Sequence, residues 1–136
     1  MRRIELIVVH CSATRENQAF PVDALIRCHL DRFGFTAYHY YVQRNGRVFQ
    51  TRNEQLPGAH ARGYNAHSIG VCYEGGLDAE GRVADTRTPC QRKALARLLH
   101  SLKRTYPDAS IVGHRDLPDV HKACPSFDAT KEYASF

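Results

Sequence analysis

Apolar residues recur along this chain at two spacings, one of strands and one of helices. The run 4–10 (IELIVVH) is dense in β-branched residues and gives way to the polar Cys11-Ser12-Ala13-Thr14, which predicts a mostly buried strand ending near His10. From Val22 the apolar positions Val22, Leu25, Ile26, His29, Leu30 and Phe33 keep helical spacing, with Pro21 suited to a first turn and Gly34 to a C-terminal stop. Residues 38–43 and 47–50 flank Asn45-Gly46, a pair that tolerates the positive φ angles of a type I′ turn, so a β-hairpin is expected there. The stretch 55–65, with Pro57, Gly58 and Gly63, reads as a loop, and 68–73 (SIGVCY) as a central strand.

Thr88-Pro89-Cys90-Gln91 has the chemistry of a helix start, with Thr88 as N-cap, Pro89 at the first helical position and Gln91 completing a capping box. The helix should run to about Tyr106, before Pro107. It buries Leu95, Leu98, Leu99 and Leu102 and turns Arg92, Lys93, Arg97, Lys103 and Arg104 to solvent. Residues 110–113 read as a further short strand that delivers His114. Strands alternating with helices predict one α/β domain over residues 1–136, a central mixed β-sheet flanked by helices.

Composition narrows the function classes. At 136 residues and 43% apolar content the chain can bury roughly 68% of its unfolded surface without a disulfide scaffold. No apolar run approaches the ~20 residues of a membrane span, so no membrane insertion is expected. Met1-Arg2-Arg3 resembles the start of a secretory signal, but the apolar stretch after it stops at His10 with no small-residue cleavage site; synthesis in the cytoplasm without a cleaved signal is the expectation. Five cysteines at irregular spacing argue for reduced thiols. The 19 Lys and Arg against 14 Asp and Glu give a net charge of +5, which could serve a polyanion such as nucleic acid or an anionic cell-wall polymer; without an aromatic-and-basic signature or a helix-turn-helix pattern, no nucleic-acid partner is expected.

Eight histidines raise the question of which converge on one ion. His10 and His114 each follow an apolar strand, from which side chains of an open α/β sheet project into a shared crevice, and Cys124 lies in a loop ten residues beyond His114. Two imidazoles and one thiolate give a tetrahedral zinc ion three ligands and leave the fourth position to water, the layout of a catalytic zinc surface groove that hydrolyses amides or esters. Their separation matches no local zinc pattern. The string His114-Arg115-Asp116-Leu117 also matches a protein-kinase catalytic loop, but without the following Asn or a Gly-rich loop the match is accidental.

Five segments taken together resemble the zinc-dependent N-acetylmuramoyl-L-alanine amidases, in the phage-lysozyme branch of the type 2 enzymes related to peptidoglycan recognition proteins. They are Val9-His10-Cys11-Ser12-Ala13-Thr14, Tyr38-His39-Tyr40, the stretch 63–71 (GYNAHSIGV), Gly113-His114-Arg115-Asp116 and Lys122-Ala123-Cys124-Pro125-Ser126-Phe127-Asp128. They occur in the family's order over nearly the whole chain. The resemblance implies Zn2+ held by His10, His114 and Cys124, catalytic Tyr38 and Lys122, and a substrate groove to which His60, Asn65 and His67 contribute. It implies hydrolysis of the amide between N-acetylmuramic acid and L-alanine in peptidoglycan, by a monomer that reaches the wall after release. In an extended segment Lys122 and Cys124 face the same side, so an ammonium there can stabilise an oxyanion beside the metal. Asp116 is open between orienting an imidazole and pairing with Arg115. His29 reads as a boundary histidine, and Cys28, Cys72 and Cys90 as small hydrophobes. Two rival readings are a muropeptide-binding module without turnover and a thiol hydrolase using Cys124 or Cys11 as nucleophile.

Overall fold

The apolar runs of the sequence pair side by side, most of them in parallel. The computed structural model describes residues 2–136. Its elements are β1 (Leu6–Cys11), β2 (Thr14–Arg15), α1 (Val22–Phe33), β3 (Tyr40–Val42), β4 (Val48–Gln50), β5 (Ser68–Tyr73), β6 (Gly76–Leu77), α2 (Pro89–Thr105), β7 (Ser110–Gly113) and α3 (Ala129–Glu132), with single 3₁₀ turns at Asn65–His67 and His114–Asp116. The five-stranded sheet runs β4-β3-β5-β1-β7; only β4 is antiparallel to its neighbour, so the sheet is mixed, as the alternation of elements predicts. β2 and β6 form a separate parallel pair, too short to leave a periodic signal in the sequence.

Alternation of side chains divides the core between two sheet faces. Ile7, Val9, Ile69, Val71 and Tyr73 pack against Leu95, Leu99 and Leu102 of α2. Val8, Tyr41 and Cys72 point the other way, where Leu25 of α1 covers Tyr41 and Cys72. α2 begins as predicted: Thr88 accepts the Gln91 backbone N–H and the Gln91 side chain accepts that of Thr88. Leu98 is only half buried.

β1 ends at Cys11, close to the expected end near His10, and carries His10 and Cys11 in register with Cys72 and Tyr73 of β5. Four details differ from the sequence reading. In the hairpin only Gly46 has positive φ (87°), and its N–H donates to the Gln43 carbonyl; the connection is therefore a turn ending in a left-handed glycine, not type I′. The stripe of α1 buries Leu25 alone and leaves Leu30 50% exposed, since α1 edges an open cleft instead of lying across the sheet. Cys28 and Cys90 are exposed, not packed. Asp116 does neither thing the sequence left open: its Oδ2 accepts the Gly113 N–H and the Thr130 hydroxyl, tying β7 to α3.

The C-terminal part of the chain is fastened by one buried cation. The Arg87 side chain is fully shielded, lies over the Phe127 ring at 3.4 Å and donates to Asp85 (2.9 Å) and Glu132 (2.7 Å). Hydrogen bonding to Arg87 holds the Glu132 carboxyl below its ordinary value. A carboxyl so depressed stabilises the fold above its unfolded pKa, and that stability is lost as the pH falls through the folded value. Arg87→Met should therefore lower stability by roughly 3 kcal/mol at neutral pH. Urea melts at descending pH should show the gap to wild type narrowing below about pH 4, where the acids protonate; a gap independent of pH would contradict this pairing.

Candidate metal centre and cleft

Strand register brings the two histidines together. Val9 of β1 lies beside Gly113 of β7, so the next residues, His10 and His114, emerge side by side at the C-terminal ends of adjacent parallel strands. Their ring centroids are 4.5 Å apart. His10 is buried to 1% exposure, while His114 is partly open. Cys124 arrives on the loop after the 3₁₀ turn, which is pinned on several sides. The Arg115 N–H donates to the Cys124 carbonyl (2.9 Å), the Tyr73 hydroxyl to the Pro125 carbonyl (2.6 Å) and the Ser126 hydroxyl to the Gly76 carbonyl (2.9 Å). The Cys124 Sγ accepts the Cys11 N–H at 3.2 Å and lies 3.8 Å from His10 Nδ1. One donor atom from each of His10, His114 and Cys124 lies within 4.8 Å of the other two.

The far side of the His10 ring is also engaged. Its Nε2 is 2.9 Å from Nδ1 of His60, and the other nitrogen of His60 is 3.2 Å from the Ser68 hydroxyl. The His60 ring fits against the β5 backbone only because position 70 is glycine: a Cβ there would come within 2.7 Å of it. Burial pushes the His10 imidazole well down, and burial pushes His60 down to about 3. Both rings are neutral, so one nitrogen of each must accept. If His10 donates from Nε2 to His60, its Nδ1 lone pair is left aimed toward Cys124.

A cleft of about 410 Å³ opens over this cluster. Tyr38 and Lys122 both line it, as do His29, Arg32 and Phe33 from the rim helix α1. The Tyr38 ring is 5.0 Å from that of His10, and burial holds its hydroxyl well above the ordinary phenol range, so it is a proton donor. Of the three residues expected in a substrate groove, His60 reaches the cleft only from behind His10. Asn65 and His67 are not brought there. They sit on a 3₁₀ turn, where the Asn65 side chain accepts the N–H groups of His60 and Ala61 (2.9 Å each) and so shapes the loop carrying His60. His67 lies 3.8 Å from Glu5 at the opposite end of the sheet from His10. Sequence reasoning found no partner for His39. It is fully buried, accepts the Gly70 N–H (3.0 Å) and meets the Leu56 carbonyl (2.8 Å), which fixes the hairpin to β5 below the cleft.

The sequence profile of the family N-acetylmuramoyl-L-alanine amidase matches residues 1–127. This chain belongs to that family. The amidase is 42% identical over 121 residues to the endolysin of Enterobacteria phage K11, covering 88% of this chain and 79% of the relative. It is 39% identical over 125 residues to the endolysin of Escherichia phage T7, covering 91% and 82%. Among solved structures it resembles the N-acetylmuramoyl-L-alanine amidase LysC of Clostridium intestinale (TM-score 0.77, 25% identity, 97% of this chain and 83% of that one). Bumblebee PGRP-SA shares the fold (TM-score 0.78, 20% identity, 100% and 83%). The reaction class is thus hydrolysis of an amide bond in peptidoglycan.

The contact behind His10 generates a test. Removing the hydrogen-bond partner of a metal-ligating imidazole typically costs 10- to 100-fold in metal affinity. In this amidase His60→Ala should weaken binding of a divalent metal by roughly that factor, read by competition with a chromophoric chelator. Unchanged affinity would show that His60 does not orient His10.

Proposed function

We propose that this amidase cleaves the bond between the lactyl group of N-acetylmuramic acid and L-alanine with a zinc ion held by His10, His114 and Cys124. The single observation that carries the reading is the mutual approach of those three donor atoms within 4.8 Å. The donor set fits zinc: two imidazoles, each kept neutral by burial, and one sulfur, with an open side toward the cleft. Zinc bound there supplies Lewis-acid polarisation of the scissile carbonyl and activation of water.

The chain's own residues do the rest. Lys122, exposed at the cleft wall two residues before Cys124, presents its ammonium to the carbonyl oxygen as negative charge develops on it. Tyr38, protonated, donates a hydrogen bond from the other wall to the same oxygen or to the attacking water. His60 keeps His10 in the tautomer that turns Nδ1 outward. The α1 rim, with His29, Arg32 and Phe33, bounds the groove where the muramoyl-peptide lies. In this reading the protein acts on the cell wall, for which its likeness to phage endolysins is the support. In this reading it works as a monomer.

The retained Cys124 thiol favours hydrolysis over binding without turnover, and its contact with His10 leaves a thiol mechanism to be tested. Chelation should abolish release of L-alanyl peptide from a soluble muramoyl-peptide, and added zinc should restore it. Lys122→Met should keep its metal yet lose roughly 10²- to 10³-fold in kcat. Activity that survives complete metal removal would overturn the zinc reading in favour of a cysteine nucleophile.

A further inference from the structure

The net charge of this protein resides on one helix. α2 contains five of the 19 Lys and Arg and none of the 14 Asp and Glu, so the other cationic residues balance all the acids and the helix carries the +5. Two of its cations are engaged at its ends: Arg92 pairs with Asp85 (3.0 Å), and Lys103 donates to the Ala109 carbonyl. Lys93, Arg97 and Arg104 are exposed, make no ion pair among the described residues, and at spacings of four and seven lie on one face of the helix.

That face adjoins the β4 edge of the sheet. The 44–50 segment contains no acid, so nothing there neutralises these cations; its own Arg47 lies over the Phe49 ring at 5.1 Å, on the side of the hairpin away from Val48. Between hairpin and helix is a shallow depression of about 400 Å³ floored by Val48, Ala94 and Leu98 and rimmed by Arg97, Ser101 and Arg104. Val48 is 42% exposed, an apolar side chain open to solvent among cations. The buried side of α2 packs on the sheet face opposite the one that carries His10, so a partner held here leaves the cleft free.

We infer that this face is a peripheral docking surface for an anionic phospholipid bilayer. Three unpaired cations along the helix beside an apolar floor match phosphate headgroups above acyl chains; a phosphodiester polymer or nucleic acid would use the cations but not the exposed valine. The contact is superficial, because no helix among the described residues is long and apolar enough to cross a membrane. Docking would gather the protein at a membrane surface with its cleft facing away, independently of how the cleft works.

Vesicle flotation tests this with the intact protein. Wild type should float with vesicles of equal parts phosphatidylglycerol and phosphatidylcholine, and not with phosphatidylcholine alone. Each cation near such a surface is worth about fivefold in partitioning, so Lys93→Gln/Arg97→Gln/Arg104→Gln should bind roughly 100-fold more weakly. The charge-preserving Lys93→Arg/Arg97→Lys/Arg104→Lys should bind like wild type. Both variants should cleave a soluble muramoyl-peptide at the wild-type rate, which separates this surface from the hydrolytic reading. Equal flotation of wild type and the glutamine variant, equal binding to neutral vesicles, or retention on duplex DNA without flotation would each overturn the proposal.

Discussion

A histidine ring sealed from water must have its nitrogens satisfied by its surroundings, and the rest of this site depends on how His10 meets that demand. One nitrogen is taken by His60; the other faces the sulfur of Cys124 beside the ring of His114. Neutral imidazoles and a thiol crowded together form a poor polar cluster by themselves but a good nest for a cation. Hydrogen bonding to Cys11 and burial push the Cys124 thiol up, so a positive charge is what would make it a thiolate.

The architecture serves this convergence. Parallel pairing of β1 with β7 puts two histidines at neighbouring strand ends, and pairing with β5 brings Gly70, Ser68 and the His60 loop behind them. The Cys124 loop is less regular and is held by contacts of several kinds, from the Tyr73 hydroxyl to the Arg87 cluster under Phe127. With α2 covering one sheet face, the other is left to α1 and the cleft. The division places chemistry and net charge on opposite sides of the molecule.

Most of the fold was legible in the sequence because its signals are local. β-branched runs marked β1 and β5, Thr88 and Gln91 marked the start of α2, and Gly34 marked the end of α1. The candidate metal ligands were suggested by strand ends but became specific only through five motifs in order, since the register that unites His10 with His114 spans more than a hundred residues. The role of His60 was not legible. Nothing near it in sequence announces that the missing side chain of Gly70 makes room for its ring, or that Asn65 serves the loop instead of the groove. The exposure of Leu30 and Cys28 was hidden for a similar reason: helical spacing reports an apolar stripe, not whether a sheet lies beneath it.

The most direct test is anomalous diffraction at the zinc edge from crystals of the zinc-loaded protein. The account predicts one strong peak in the cleft, about 2.0–2.1 Å from a ring nitrogen of each of His10 and His114 and about 2.3 Å from the Cys124 sulfur. A fully active, zinc-loaded protein whose peak lay elsewhere, or that engaged only one of the three residues, would contradict it.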